Sequence, residues 1–223
     1  MNKIRVIEVK QSIFDDNNKK AEELRCNLRK NKTFLLNVMS SPGSGKTTTL
    51  VQVINYLKHS LKIAVMEADI DSDCDSQKIY DATGVKVVQL HTGGMCHLDS
   101  KLTKEGLESL PLENEDLVIL ENIGNLVCPA EFDTGSSKNL MIMSIPEGDD
   151  KPLKYPLMFE VCDICLIHKF DTLSVFDFDI EKFKERVYKI NPNMKIIEIS
   201  AKFGTNIDKV CDLLVDEIRK WCY

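Results

Sequence analysis

The chain has 223 residues, of which 43% are hydrophobic and 29% charged, a composition typical of a globular protein long enough to bury a substantial core. Acidic residues outnumber basic ones, 35 to 29, for a formal net charge of −6. This balance argues against a nucleic acid partner, because the sequence has no concentrated basic stripe that could release counterions from phosphates.

Nothing in the sequence predicts export or a membrane partner. No apolar run approaches the roughly 18 residues that a membrane span needs, and residues 1–20 lack the apolar core of a secretory signal. We therefore expect a cytoplasmic protein, in which the eight cysteines stay reduced and serve as core residues, metal ligands or redox centres.

The predicted elements alternate between helix and strand along the chain. A leading amphipathic helix is expected over about residues 14–31, where Ala21, Leu24 and Leu28 recur at helical spacing. Further helices are expected over residues 47–59 and 205–222, and residues 125–139 are expected to form an excursion loop. Seven apolar runs are typical of buried strands, namely 34–40, 62–69, 85–92, 116–124, 140–148, 164–171 and 195–201.

Seven strand-like runs separated by crossovers predict an α/β fold with one mostly parallel sheet of about seven strands and helices on both faces. No repeat, low-complexity tract or linker interrupts the chain, so we expect residues 1–223 to form a single domain. Ligands of such sheets bind at the carboxyl ends of the strands, and the residues that follow each strand are therefore candidates for a site.

The stretch SSPGSGKTTT, residues 40–49, is the strongest local signal. Glycines in this turn let successive backbone N–H groups point at phosphate oxygens, while Lys46 would reach the β- and γ-phosphates and Thr47 would offer its hydroxyl to Mg²⁺. Ser40 stands where the phosphate-loop pattern has its first glycine, but the rest of the pattern is present. The residues expected to hold phosphate are Gly43, Ser44, Gly45, Lys46, Thr47 and Thr48.

A magnesium site beside this loop also needs an acidic residue at the end of a neighbouring strand. The segment MEADIDSDCDS, residues 66–76, and the strand-like run ending at Glu121 supply candidates. We expect Mg²⁺ to be held by Thr47, Asp69 and Glu121, and these three residues together with Lys46 to form the catalytic group.

Two later segments predict that the base is guanine rather than adenine. HKFDTL, residues 168–173, lies where GTPases carry N-K-x-D, so Asp171 would accept hydrogen bonds from guanine N1 and N2 while Lys169 lies over the ring. EISAKFG, residues 198–204, is similar to the S-A-K element, whose backbone N–H at Ala201 would meet guanine O6. Ser200, Ala201 and Lys202 complete the expected nucleotide-binding residues.

Taken together, SSPGSGKTT, GGMCHLD, ENIGNLVCPAEFD and EGDDKPLKYP resemble the HypB family of hydrogenase nickel-incorporation GTPases, from about residue 15 to the end. The resemblance implies a dimerising P-loop GTPase of the SIMIBI class that binds GTP and GDP. It also implies that the protein helps to deliver nickel to the large subunit of [NiFe] hydrogenase, together with the small metallochaperone HypA.

The resemblance further implies a metal site made by Cys96, His97 and Cys128, which in the family binds Zn²⁺ or Ni²⁺ near the dimer interface. Thiolate and imidazole ligands suit both metals, and three ligands leave one coordination position open for transfer. Cys128 lies seven residues beyond Glu121, so we expect the nucleotide state to move one ligand relative to the others.

Two features of the chain depart from the family. Residues 1–58 hold Cys26 as their single cysteine and no histidine, so the amino-terminal nickel motif of many members is missing and high-affinity nickel storage is not expected. His168 stands where asparagine is usual, which alters one expected contact to the base or to the phosphate loop.

Alternative interpretations remain for both the cysteines and the function. The C-x-x-C pair Cys162 and Cys165 is typical of redox and zinc sites, although core packing is favoured for it because the pair borders an apolar strand. We expect a slow GTPase that acts as a switch, with GTP favouring the closed dimer. The alternatives are a metal-binding adaptor or storage protein with a structural nucleotide, a SIMIBI metallochaperone for another nickel enzyme, and an ATP-using kinase.

Overall fold

The structure, a computed structural model, describes residues 9–110 and 114–222. Residues 1–8, part of the amino-terminal stretch in which no secretory signal is predicted, lie outside these ranges. The strands are β1 (Phe34–Ser40), β2 (Ile63–Asp69), β3 (Lys86–His91), β4 (Leu117–Gly124), β5 (Lys138–Ser144), β6 (Ile164–His168) and β7 (Lys195–Glu198). The α-helices are α1 (Val9–Lys30), α2 (Lys46–Leu57), α3 (Cys74–Thr83), α4 (Ser100–Ser109), α5 (Cys128–Glu131), α6 (Lys151–Lys154), α7 (Pro156–Val161), α8 (Ile180–Ile190) and α9 (Ile207–Cys222).

The seven strands form one sheet in the order β3-β2-β4-β1-β5-β6-β7, and each pairing between neighbours is parallel. Helices α2 and α9 bury apolar side chains against one face. Helices α7 and α8 cover part of the opposite face, and α1 and α4 cover the rest. The predicted parallel α/β sheet with helices on both faces is confirmed.

Several predicted boundaries were wrong, each for a local reason. The run predicted as a strand over 140–148 is β5 at Lys138–Ser144 followed by a 3₁₀ turn at Ile145–Glu147. Pro146 cannot donate to a strand ladder, and Ser144 and Glu147 form a capping box around the turn. The run predicted over 164–171 stops at His168, because Lys169 adopts a left-handed backbone with φ +57°.

The leading helix is longer than predicted, since it begins at Val9 rather than near residue 14. The stretch 125–139, expected to be a loop, contains the short helix α5 and the first residues of β5. The last predicted strand, 195–201, ends at Glu198, and residues 200–205 form a tight turn closed by hydrogen bonds between Ser200 and Thr205.

The cysteine pair Cys162 and Cys165 belongs to the core, as favoured from the sequence. Both thiols are buried within the apolar cluster that also contains Met158, and burial raises the pKa of each of them. A thiol held in its neutral form is a poor metal ligand and a poor nucleophile, so the redox and zinc interpretations are disfavoured.

A search of the described residues for helices that could cross a membrane finds none of sufficient length and apolarity.

Helix α1 is fixed to two separate loops by the buried side chain of Asn17. Its Oδ1 accepts hydrogen bonds from the backbone N–H and the hydroxyl of Ser100, and its Nδ2 donates to the carbonyl of Asp133, at 2.9 Å. Arg25 adds an ion pair with the Asp133 carboxylate and a bond to the carbonyl of Ser136. These contacts join the start of α4 and the segment after α5 to the same helix.

We expect Asn17→Ala to destabilise the protein by about 2 kcal/mol, because it leaves the buried N–H of Ser100 and the carbonyl of Asp133 without partners. The matched control is Asn18→Ala, which truncates an exposed side chain of the same type on the same helix and should stay within about 0.5 kcal/mol of wild type. Urea unfolding followed by circular dichroism measures both, and equal effects of the two substitutions would contradict the anchoring role of Asn17.

Candidate functional site

The phosphate loop connects the carboxyl end of β1 to the first turn of α2. Gly43 and Gly45 have φ values of +71° and +102°, in the left-handed region that glycine adopts without steric cost. Lys46 begins α2, and its ammonium group donates to the hydroxyl of Ser40, at 3.1 Å. The loop therefore places one positive charge and a helix amino terminus at the same point, which is the arrangement that binds phosphate.

Thr47 and Glu121 meet beside this loop. The Thr47 hydroxyl donates to Glu121 Oε1 at 2.8 Å, and Glu121 Oε2 is buried with no hydrogen-bond partner among the described residues. Burial raises the pKa of Glu121 to about 7, although the charge of Lys46 and the bond from Thr47 oppose the rise. A hydroxyl next to an unpartnered carboxylate oxygen fits the oxygen-ligand preference of Mg²⁺, so these two residues suit the predicted magnesium site.

The acid that lies next to Glu121 across the sheet is Glu67, which the sequence showed but did not single out. The two residues are register partners on β2 and β4, and Glu67 is 3% exposed with an unpartnered Oε2. Burial raises the pKa of Glu67 to about 8; the amide of Gln89 opposes the rise and Glu121 adds to it. Register pairing, which the sequence alone does not reveal, brings these carboxyl groups together.

Asp69 lies at the last position of β2, and its carboxylate bonds to the backbone of the turn that follows. Its Oδ1 accepts the backbone N–H groups of Asp71 and Ser72 at 3.1 and 2.9 Å, and these bonds hold the pKa of Asp69 below its usual value. Asp69 thus fixes the turn after β2, and its role as a magnesium ligand stays a prediction.

A cavity of about 780 Å³ opens in front of the phosphate loop. Gly43, Lys46, Thr47 and Thr48 form one wall, and α3 forms another. The volume lies within the range of ordinary cofactor pockets, so five of the six predicted phosphate-binding residues, all but Ser44, line a space that is large enough for a ligand.

The predicted base-binding residues are tied to the phosphate loop and to one another. Lys169 Nζ donates to the carbonyl of Gly43 at 2.8 Å, and the hydroxyl of Ser200 donates to Asp171 Oδ1 at 2.6 Å. The bond from Ser200 is the main reason that the pKa of Asp171 lies below its usual value. The Lys202 ammonium lies 5.1 Å from the centre of the Phe203 ring, on the exposed side of the turn.

The cysteine and histidine of the glycine-rich stretch lie in the loop between β3 and α4. Gly93 and Gly94 have φ values of +60° and +99° and let the loop turn back. Asp99 ends it by accepting the N–H of Leu102 at the start of α4. Cys96 Sγ lies 4.0 Å from His97 Nδ1, so the two neighbouring side chains face the same side.

Cys128, at the start of α5, meets this loop from the end of β4. A hydrogen-bond contact with Cys96 is the main reason that the pKa of Cys128 is raised, and burial adds to it. Cys96 therefore lies near both His97 and Cys128, but no group of three His, Cys, Asp or Glu side chains in the described part of the chain is arranged to hold a metal ion. Closing the trio around a metal would require a change of side-chain orientation.

The ring of His97 stacks on Phe132, a contact that the sequence did not predict. The ring centroids are 3.8 Å apart at an interplanar angle of 13°, and Phe132 in turn contacts Phe14 of α1 at 5.0 Å. The contact fixes the plane of the imidazole. Nothing in the local sequence signals it, because the residues lie on separate loops.

A family model and curated relatives match the sequence of this chain. Residues 34–198 match the model of the CobW/HypB/UreG nucleotide-binding domain. The hydrogenase maturation factor HypB of Escherichia coli strain K12 is 41% identical over 209 residues, which cover 94% of this chain and 72% of that protein. The hydrogenase/urease maturation factor HypB of Helicobacter pylori strain J99 is 35% identical, with 96% of this chain and 89% of that protein covered.

A solved structure has the same fold. The crystal structure of HypB from Helicobacter pylori in complex with nickel superposes with a TM-score of 0.87 at 36% identity, over 93% of this chain and 97% of that one.

We expect Gly45→Ala to destabilise the nucleotide-free protein by at least about 2 kcal/mol, because its Cβ would lie 2.4 Å from the ring of His168 in addition to the strain of a left-handed backbone. The control Gly43→Ala also has a left-handed backbone, at φ +71°, but its Cβ would meet no atom within 4 Å, so its cost should be about 1 kcal/mol. Thermal and urea unfolding compare them, and equal losses would show that the contact with His168 costs nothing.

Proposed function

The chain belongs to the HypB branch of the CobW/HypB/UreG nucleotide-binding family, and we propose that it is a GTP-hydrolysing metallochaperone that assists nickel insertion into [NiFe] hydrogenase. The observation that carries the proposal is the placement of two loops at one edge of the sheet. One loop joins Lys46 and Thr47 to Glu121, and the other brings Cys96 to Cys128, seven residues beyond Glu121.

Hydrolysis in this proposal depends on neutralising the negative charge of the phosphates. Lys46 and the backbone N–H groups of the phosphate loop bind the β- and γ-phosphates, and Thr47 and Glu121 hold Mg²⁺. The metal, when bound, neutralises charge that builds up on the transferring phosphoryl group. The chain's own contribution is to hold these groups in place before the nucleotide arrives, and the bond between Thr47 and Glu121 supports that role.

Guanine selection in this proposal depends on Asp171. Its carboxylate, held by Ser200, stays ionised because its pKa is lowered, so it can accept two hydrogen bonds from guanine N1 and N2. Adenine offers no such pair of donors on that edge. Lys169, bound to the carbonyl of Gly43, places its aliphatic chain between the phosphate loop and the base.

Nickel or zinc is the cargo in this proposal, held by Cys96, His97 and Cys128. The donor set of two thiolates and one imidazole suits either metal and leaves a position open for transfer. Binding removes the protons that the thiols carry in the free protein, as expected for cysteine ligands. The relative of known structure that binds nickel supports the choice of metal.

Two copies of the chain meet near the metal in this proposal. Met95 and Val127, next to the two cysteines, are 43% and 51% exposed, and exposed apolar side chains at a site are typical of an interface. GTP favours the closed dimer and GDP relaxes it, which requires a difference in nucleotide affinity between the two states.

The partners proposed for this cycle are a HypA-type metallochaperone and the hydrogenase large subunit, in the cytoplasm, with residues 1–223 acting as one GTPase domain. A second nickel enzyme is a further candidate recipient, since the Helicobacter pylori relative is named as a hydrogenase/urease maturation factor. The rival function is an adaptor or storage protein in which the nucleotide has a structural role.

We expect Lys46→Ala to lower the GTP hydrolysis rate by about 100-fold or more, the usual cost of losing one group that stabilises transition-state charge. Hydrogenase activity and nickel content should fall with it in a host strain that lacks its own copy of the gene. The control Lys182→Ala removes an exposed lysine from α8 and should change neither. Full hydrogenase maturation by a Lys46→Ala protein that no longer turns over GTP would favour the adaptor function instead.

We expect Cys96→Ala and Cys128→Ala each to weaken Ni²⁺ or Zn²⁺ binding by more than about 100-fold, since even changes behind the ligands cost 10- to 100-fold. The control is Cys26→Ala, which removes an exposed thiol from α1 and should bind metal as wild type does. Isothermal titration with each metal, in GDP and in a non-hydrolysable GTP analogue, provides the measurement. Wild-type affinity in both Cys96→Ala and Cys128→Ala would mean that the metal is bound elsewhere.

A further inference from the structure

His168 connects the phosphate loop to the turn after β7. It is 5% exposed at the last position of β6, with Nδ1 2.8 Å from the carbonyl oxygen of Ser44 and Nε2 3.2 Å from the backbone nitrogen of Ala201. One imidazole therefore bridges the loop proposed to bind phosphate and the loop proposed to bind the base.

The partners of His168 fix the position of its proton. A carbonyl oxygen can only accept, so Nδ1 carries the hydrogen and donates to Ser44. The N–H of Ala201 can only donate, so Nε2 offers its lone pair. The ring is neutral in this arrangement, and burial, the main cause, holds the pKa of His168 below its usual value.

The ring cannot easily move away from these partners. Its Cε1 and Nδ1 lie 2.4 Å from the point where a Cβ on Gly45 would be, so the imidazole fills the space left by that glycine. The bond to the carbonyl of the adjacent Ser44 holds the same edge of the ring. Ala201 itself is 1% exposed, so its N–H lies against His168 in a buried environment.

This geometry matters for the base because Ala201 has a single backbone hydrogen. In the proposed function that hydrogen would meet guanine O6, but here it is donated to an imidazole nitrogen. We propose that His168 retains the Ala201 N–H when the nucleotide is bound, so that guanine O6 gains no hydrogen bond there and the base is selected through Asp171. The inference rests on the proposed guanine site and identifies His168 as the residue that determines how the O6 edge is recognised.

Two substitutions separate the two bonds of His168. Asparagine places its amide nitrogen near the position of the imidazole Nδ1, so His168→Asn keeps the donor to Ser44 and frees the Ala201 N–H. Glutamine extends to the position of Nε2, so His168→Gln keeps an acceptor for Ala201 and gives up the donor to Ser44. The pair is matched, since both replacements are neutral amides.

The readout is the ratio of dissociation constants for 6-thio-GDP and GDP, because the sulfur in place of O6 accepts hydrogen bonds weakly while the N1 and N2 donors remain. We expect a ratio near one for wild type and for His168→Gln. His168→Asn should raise it by about three- to tenfold, which corresponds to one neutral hydrogen bond. A wild-type ratio as high as that of His168→Asn, or a His168→Gln ratio equal to it, would overturn the proposal.

Two further measurements distinguish a failure of the guanine site from a failure of the role proposed for His168. Binding of ADP to wild type tests the guanine site itself, since equal affinities for ADP and GDP would refute guanine selection whatever His168 does. A scalar coupling across the hydrogen bond between the Ala201 amide nitrogen and His168 Nε2, measured by NMR on wild type with and without GDP, needs no variant to fold. The coupling should persist when GDP binds, and its loss on binding would refute the proposal.

Discussion

Parallel pairing of β1 with β4 on one side and β5 on the other is the constraint on which both candidate sites depend. Because the strands run in one direction, their carboxyl ends lie along the same edge of the sheet. Glu121 pairs with Val38, two residues before β1 ends, so its side chain reaches Thr47 on the first turn of α2. His168 pairs with Ser144 at the end of β5, which brings it beside the same phosphate loop.

The loops proposed to bind the nucleotide and the loops that carry Cys96 and Cys128 lie at this same edge of the sheet. The N–H of Thr92, at the start of the loop that carries Cys96, donates to the carbonyl of Asp69 at the end of β2. Cys128 follows β4 after a short turn. A change in the segment after β2 or at the end of β4 would therefore reach one cysteine or the other through few covalent and hydrogen bonds. This is the physical link that the proposed coupling between GTP and metal requires.

Sequence patterns predicted the parts of this arrangement that local chemistry determines. Apolar runs such as 34–40 could be assigned to buried strands because parallel strands are covered on both faces, and the glycines before Lys46 identified the phosphate loop because few other residues adopt that backbone. The partnership of Glu67 with Glu121 and the stacking of Phe132 on His97 depend on strand order and loop placement. Residues that meet through tertiary structure carry no local periodicity, so these contacts could not be read from one sequence.

The two bonds of His168 were beyond prediction for a related reason. The sequence showed a histidine in place of asparagine, but whether that change removes a contact depends on which atoms its neighbours present. The structure gives it a carbonyl on one side and an N–H on the other, so a side chain with one donor and one acceptor satisfies both loops. The substitution preserves the connection between the phosphate and base loops by different chemistry.

Several buried oxygen atoms without hydrogen-bond partners lie beside the candidate nucleotide site, where a ligand can satisfy them. Within the described residues, Ser44 Oγ on the phosphate loop, Glu67 Oε2 on β2 and Glu121 Oε2 on β4 are such atoms, while others, such as Thr134 Oγ1 and Glu147 Oε2, lie on other segments. Each unsatisfied buried group costs about 1–3 kcal/mol. A ligand that supplies hydrogen-bond donors or a cation at this edge recovers part of that free energy, so the same side chains that weaken the free protein strengthen the complex.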